Sequence, residues 1–115
     1  MKLLLAIIQP TKLDAVREAL DRVGVERLTV CDAQGYGRQR GQSASYRGIE
    51  YRVNMLRKVA LEIWVNDDFV ERTIDVIVRV AKTGTHGNIG DGKIFVLPTD
   101  DALTISSGLR GPGAV

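Results

Sequence analysis

One cysteine and one histidine are all that this 115-residue chain holds of the two side chains most used in nucleophilic and metal chemistry. Cys31 has no internal partner, so no disulfide staples the fold, and its apolar neighbourhood predicts a buried structural thiol. His86 by itself lacks the second and third ligands that a zinc site needs. No serine lies beside a plausible base, and no two acids are spaced for acid and base roles, so the chain is expected not to be an enzyme. Long apolar runs are also missing. Leu3 to Ile8 is far too short to cross a bilayer and carries no small-residue cleavage site of a secretory signal, which makes the cytoplasm the expected location. Excess charge is missing as well: the net charge is +2. Nothing global therefore demands nucleic acid, and the positive charge is concentrated locally, an arrangement suited to a small anion.

What remains is an ordinary globular composition, 44% hydrophobic and 26% charged, which predicts one domain over residues 1–115. Lys2 to Ile8 reads as a buried strand stopped by Gln9-Pro10. Thr11 and Asp14 form an approximate capping box for a helix in which Leu13, Val16, Leu20 and Val23 recur at helical spacing, with Gly24 as its stop. A second strand is expected over Arg27 to Ala33 and a third over Val59 to Val65, where Val59, Leu61, Ile63 and Val65 alternate with Glu62 and Trp64. Asn66-Asp67-Asp68 offers capping side chains to a second helix whose apolar face is Val70, Ile74, Ile77, Val78 and Ala81, ended by Gly84. Lys93 to Leu97 is a fourth strand closed by Pro98, and the tail from Asp101 is expected to be loose.

Strand, helix, strand, long loop, strand, helix, strand is the α+β, ferredoxin-like βαββαβ sandwich, one sheet with both helices on one face. Its other face needs cover, and self-association would supply it. The segment 36–55 between strands two and three is about three times the usual hairpin length. It interleaves Arg38, Arg40, Arg47 and Arg52 with glycines and with Tyr36, Tyr46 and Tyr51.

A second glycine-rich segment, 84–93, has the spacing of a phosphate-binding loop from Gly87 to Lys93, but Ile94 stands where a hydroxyl is needed to hold magnesium, and a strand follows in place of a helix. An ordinary P-loop NTPase is thereby excluded. The phosphate cradle survives in another geometry, with Gly90 and Gly92 presenting backbone donors, Arg38 and Lys93 supplying charge, and Gln39 adding a neutral side chain to face a metal or a carboxylate.

Gly35-Tyr-Gly-Arg-Gln-Arg-Gly, Tyr46-Arg-Gly-Ile-Glu-Tyr51, Lys58, Thr83-Gly84 and Ile89-Gly-Asp-Gly-Lys-Ile-Phe95 occur in that order. Together they closely resemble the PII nitrogen-signalling proteins, over residues 1 to about 97. The resemblance implies a compact cytoplasmic homotrimer that binds ATP or ADP, or AMP, in clefts between subunits, senses 2-oxoglutarate, and docks its long loop on a membrane transporter or regulatory enzyme, with no nucleic-acid partner. On matching positions, nucleotide would meet Thr29, Gly37, Arg38, Gln39, Glu62, Trp64, Gly90, Asp91, Gly92 and Lys93. 2-Oxoglutarate would meet Gln39, Arg40, Gly41 and Lys58, with Mg reached by Gln39 when ATP and 2-oxoglutarate are both bound. Tyr51 falls where many bacterial members are uridylylated.

Three departures stand out against that family pattern. Thr85 to Asn88 occupy the place of one residue, Ile49 replaces a small residue, and Thr104 and Ser106 stand where the family carries two phosphate-binding arginines, with Arg110 the nearest replacement. These changes favour a divergent member with altered nucleotide preference. Nitrogen regulation is the leading reading. The alternatives are a paralogue controlling bicarbonate or metal transport, a small nucleotide-hydrolysing enzyme, and a ligand-free trimeric structural protein.

Overall fold

The computed structural model describes residues 1–36, 43–46, 49–52 and 55–115, with side chains for 1–33 and 57–115. Strand β1 (Lys2–Ile8) leads through a 3-10 turn into helix α1 (Leu13–Arg22), then β2 (Thr29–Tyr36). A short hairpin of β3 (Ser43–Tyr46) and β4 (Ile49–Arg52) follows, then β5 (Met55–Val65), helix α2 (Val70–Ala81) and β6 (Gly92–Pro98). The main sheet has the order β2-β5-β1-β6 with every neighbour antiparallel. This is the ferredoxin-like α+β fold expected from the element order.

Alternation along the strands decides what lies inside. Leu4, Ala6, Ile8, Val59, Leu61, Ile63 and Val65 are buried and pack against Val16, Ala19 and Leu20 of α1 and Val76, Ile77 and Ala81 of α2. Removing a Leu or Ile side chain such as Leu4 or Ile63 from water contributes roughly 1.5–3 kcal/mol. The intervening residues share the opposite face. The register aligns Leu97, Leu3 and Trp64 in one row, Phe95, Leu5, Glu62 and Thr29 in the next, and Lys93, Ile7, Ala60 and Cys31 in a third. Among the described residues no helix covers these rows, and Trp64 is 40% and Phe95 47% exposed. Cys31 belongs to this face and is exposed, not buried as its neighbours in sequence suggested, because the pleat turns it away from the helices.

Several local expectations are corrected. β2 and β5 run further than the apolar pattern, since cross-strand pairing continues through Gln34 with Arg57 and Tyr36 with Met55. The β3–β4 hairpin within the long segment had no clear strand signal. Neither helix has a side-chain cap. Each begins instead from a 3-10 turn, Pro10–Lys12 or Asp67–Phe69. Asp67 accepts the Met1 ammonium at 2.5 Å, while Asn66 Nδ2 donates to the Pro112 carbonyl at 3.1 Å. The buried stripe of α2 includes Thr73 and Val76, and Val78 stays 44% exposed. Thr73 is tolerated there because its Oγ1 donates to the Phe69 carbonyl at 2.6 Å.

Gly24 ends α1 as expected: at φ +87° its N–H reaches Asp21 and the next N–H, of Val25, reaches Leu20, the paired bonds of a Schellman motif.

The tail is folded, not loose. Leu103 and Arg110 bridge, Thr104 N–H donates to Leu109 at 2.8 Å, and Gly111 N–H donates to Ala102 at 3.0 Å. Asp101 ties this turn together by accepting from Ala102 N–H, Gly111 N–H and the Arg110 guanidinium.

Candidate functional site

The ends of three strands converge on the second glycine-rich loop. Ile8 pairs with Val59 on one side and Gly92 on the other, so extending the register by one residue brings Gln9 between Lys58 and Asp91. Lys58 Nζ donates to the Gly90 carbonyl, and Gln9 Nε2 donates to the same oxygen at 2.8 Å. Lys58, which the family resemblance assigns to 2-oxoglutarate, therefore rests on the phosphate loop of its own chain. Gln9 was read in the sequence only as the end of a strand. Nothing in its position there signals a contact 81 residues away.

Asp91 closes the loop on itself. Its carboxylate accepts from Thr83 Oγ1 at 2.5 Å, Thr83 N–H at 3.0 Å and Asn88 N–H at 2.8 Å. Partial burial works against the charged form. The bonds from Thr83 and Asn88, with the nearby Lys12 charge, outweigh it and hold the carboxyl below its ordinary value. Asp91 thus acts inside the chain as the tie of the loop, and residues 85–88 are enclosed within the ring it closes between Thr83 and Asn88. A carboxyl depressed in the fold stabilises above its unfolded pKa, and that contribution is lost as pH falls through the folded value. Acidification below about pH 4 is accordingly expected to lower the protection of the Thr83 and Asn88 amides relative to their intrinsic exchange rates at the same pH. Asp91→Asn should bring the lower protection to neutral pH, and protection unchanged by that substitution would remove Asp91 from this role.

The strand pairing brings β6 in at Gly92, so the Gly87–Lys93 loop runs into a strand, as expected, with no helix N-terminus behind it. Gly92 is pressed on the backbone of β1: a Cβ there would lie 1.8 Å from the Ile7 carbonyl oxygen. Asp91, Gly92 and Lys93 line a groove of about 710 Å³ together with Ile74, Ile77 and Val78 of α2. His86 lies on the same groove as a lone histidine, and among the described residues no cluster of three His, Cys, Asp or Glu is placed to hold a metal.

Thr29, Glu62 and Trp64 meet in a different cavity, of about 640 Å³, whose other walls are Glu26, Arg27, Asp101, Ala102 and the C-terminal Val115. Six of the ten residues expected to form one nucleotide site are therefore divided between two cavities of the single chain, and Gly90 lines neither. Gly37, Arg38, Gln39, Arg40 and Gly41 lie outside the described residues. Tyr51 is on β4, opposite Ala44. Arg110, expected as the nearest replacement for two family arginines, is ion-paired: its Nε and Nη2 donate to Asp101 Oδ2 at 2.9 and 2.6 Å.

The family model described as Nitrogen regulatory protein P-II matches residues 1–108. The chain belongs to the P-II family. It is 51% identical over 115 residues to the nitrogen regulatory protein P-II of Bradyrhizobium diazoefficiens, covering all of both chains. It is 48% identical over 115 residues to nitrogen regulatory protein P-II 1 of Escherichia coli K12, again covering all of both. Nitrogen regulatory protein GlnK1 of Methanosarcina mazei is 46% identical over 115 residues, all of this chain and 97% of that relative. Membership in P-II supports a signal-transduction role in nitrogen regulation. Among the described residues of this P-II chain no helix is long and apolar enough to cross a membrane.

Proposed function

We propose that this P-II chain is a cytoplasmic, non-enzymatic regulator that binds adenine nucleotide between the subunits of a homotrimer, senses 2-oxoglutarate, and controls a transporter or enzyme through its long loop. The observation that carries this reading is the division of the candidate nucleotide residues. Thr29, Glu62 and Trp64 line one cavity and Asp91, Gly92 and Lys93 another, on a chain whose apolar sheet face is uncovered. A site assembled from the first cavity of one copy and the glycine loop of the next makes use of both, and packing the open faces together removes Trp64, Phe95 and Leu97 from water.

Basic residues then surround an anion from two directions. Lys93 and the glycine backbone face phosphate, with Arg38 and Gln39 joining them from the base of the long loop. Lys58 meets a carboxylate beside Gln39, Arg40 and Gly41. With ATP and 2-oxoglutarate both bound, magnesium would be held with the help of the Gln39 carboxamide oxygen, a hard donor suited to that ion. Tyr51 is the proposed position of covalent modification.

Thr104 and Ser106, where the family resemblance implies phosphate-binding arginines, and Ile49 in the long loop favour a second reading, a paralogue with altered nucleotide preference, ADP or AMP, that regulates bicarbonate or metal transport. Both readings are tested by light scattering and by calorimetric titration with ATP, ADP and AMP, each with and without 2-oxoglutarate and Mg. The expected result is a particle of three chains that binds adenylates, with ATP not strongly preferred. A monomer indifferent to all of these ligands would overturn the proposal, and ATP binding far tighter than ADP would remove the second reading.

A further inference from the structure

We propose that Gln9 is a positioning residue that holds the Gly90 carbonyl when Lys58 leaves it to meet an anionic ligand; this rests on the function proposed above. In the chain as it stands that oxygen has two donors, Gln9 Nε2 at 2.8 Å and Lys58 Nζ. A carbonyl has two lone pairs, so both bonds are satisfied at once. The two donors differ in what else they can do. The Lys58 ammonium is a charge at the end of a long stem and is drawn to a carboxylate. Gln9 is neutral and anchored: its backbone is extended at φ −66° and ψ 137°, it precedes Pro10, and its own carbonyl accepts from Lys12 N–H at 3.0 Å. Gly92, two residues beyond Gly90, abuts the Ile7 carbonyl, so the loop cannot shift to find another donor on that side.

The consequence is a differential one. With Lys58 parked, losing Gln9 still leaves the Gly90 oxygen one donor. With Lys58 on a ligand carboxylate, losing Gln9 leaves it none among the described residues. Gln9 therefore stabilises the ligand-engaged arrangement selectively, and it lets the base of the long loop change its contacts without the phosphate loop changing shape.

Gln9→Met keeps the length of the side chain and removes the donor. In calorimetric titrations it is expected to weaken 2-oxoglutarate binding in saturating Mg-ATP by about 5- to 10-fold, while changing ATP affinity without 2-oxoglutarate by less than about 2-fold. Equal losses for both ligands, or no loss for either, would overturn the inference, since a merely structural contact moves both together. A ligand-free measurement separates this from failure of the proposed function. Amide exchange at Asn88 and Asp91 should rise less than about 3-fold in Gln9→Met or Lys58→Met alone and more than about 10-fold in the double variant. If the unsubstituted chain binds neither ATP nor 2-oxoglutarate, the proposed function falls and the exchange result alone decides the role of Gln9. Exchange that is simply multiplicative across the two substitutions would overturn it.

Discussion

Replacing Thr104 and Ser106 together by arginine is expected to tighten ATP binding by at least about 100-fold, with ADP gaining less and AMP least. Charge-assisted bonds to phosphate contribute roughly 1.5–3 kcal/mol each, and two of them correspond to about two to four orders of magnitude in affinity. The tail is suited to carry the change. Its turn is closed by the Leu103–Arg110 bridge and the Thr104 to Leu109 bond, and Asp101 fixes it from within, so new side chains at 104 and 106 extend from a formed backbone. Arg110 is ion-paired with Asp101, so it competes less for phosphate than an unpaired arginine would. Calorimetry with the three nucleotides gives the answer directly. An unsubstituted chain that already binds ATP as tightly as the double-arginine variant would show that the phosphates never reach this tail.

Gly92→Ala is expected to melt roughly 10 °C or more below the parent chain and to lose nucleotide binding. Two costs combine at this position. The backbone sits at φ +120°, where a side chain is strained by about 1–3 kcal/mol. The new Cβ would also lie 1.8 Å from the Ile7 oxygen and 2.8 Å from its carbonyl carbon. Both atoms belong to the central strand β1, which is hydrogen-bonded on both edges and cannot yield without disturbing the sheet. A total near 3 kcal/mol translates to the stated shift for a domain of this size. Gly84→Ala is the control: its φ is +63°, but nothing lies within 4 Å of the added carbon, so only the backbone cost applies. A Gly92→Ala chain melting with the Gly84→Ala chain would refute the steric argument.

The strands and helices that bury apolar side chains were legible because their signal is periodic and local. Leu4, Ala6 and Ile8, or Val59, Leu61, Ile63 and Val65, alternate in sequence and are buried in the fold. The second glycine-rich segment was legible as a loop running into a strand, and Gly92 stands where the Ile7 backbone leaves no room for a side chain. Helix starts were less so. Thr11 and the Asn66-Asp67-Asp68 run carry capping chemistry, yet those hydroxyl, amide and carboxylate groups compete for many partners, and Met1 and Pro112 took Asp67 and Asn66. Cys31 and Val78 were misplaced for a similar reason: apolar neighbours in sequence do not say which way the pleat or the helix turns.

The sequence by itself determined the order of the four main strands and two helices and with it the ferredoxin-like fold, because these depend on periodicity along one chain, and its ordered motifs carried the family resemblance. Only the tertiary structure decided that Gln9 and Lys58 share the Gly90 carbonyl, that Asp91 ties its own loop, that Arg110 is spent on Asp101, and that the candidate nucleotide residues fall into two cavities. Those facts depend on strand register and on competition among polar groups far apart in sequence, and a hydrogen-bond partner is chosen by distance in space.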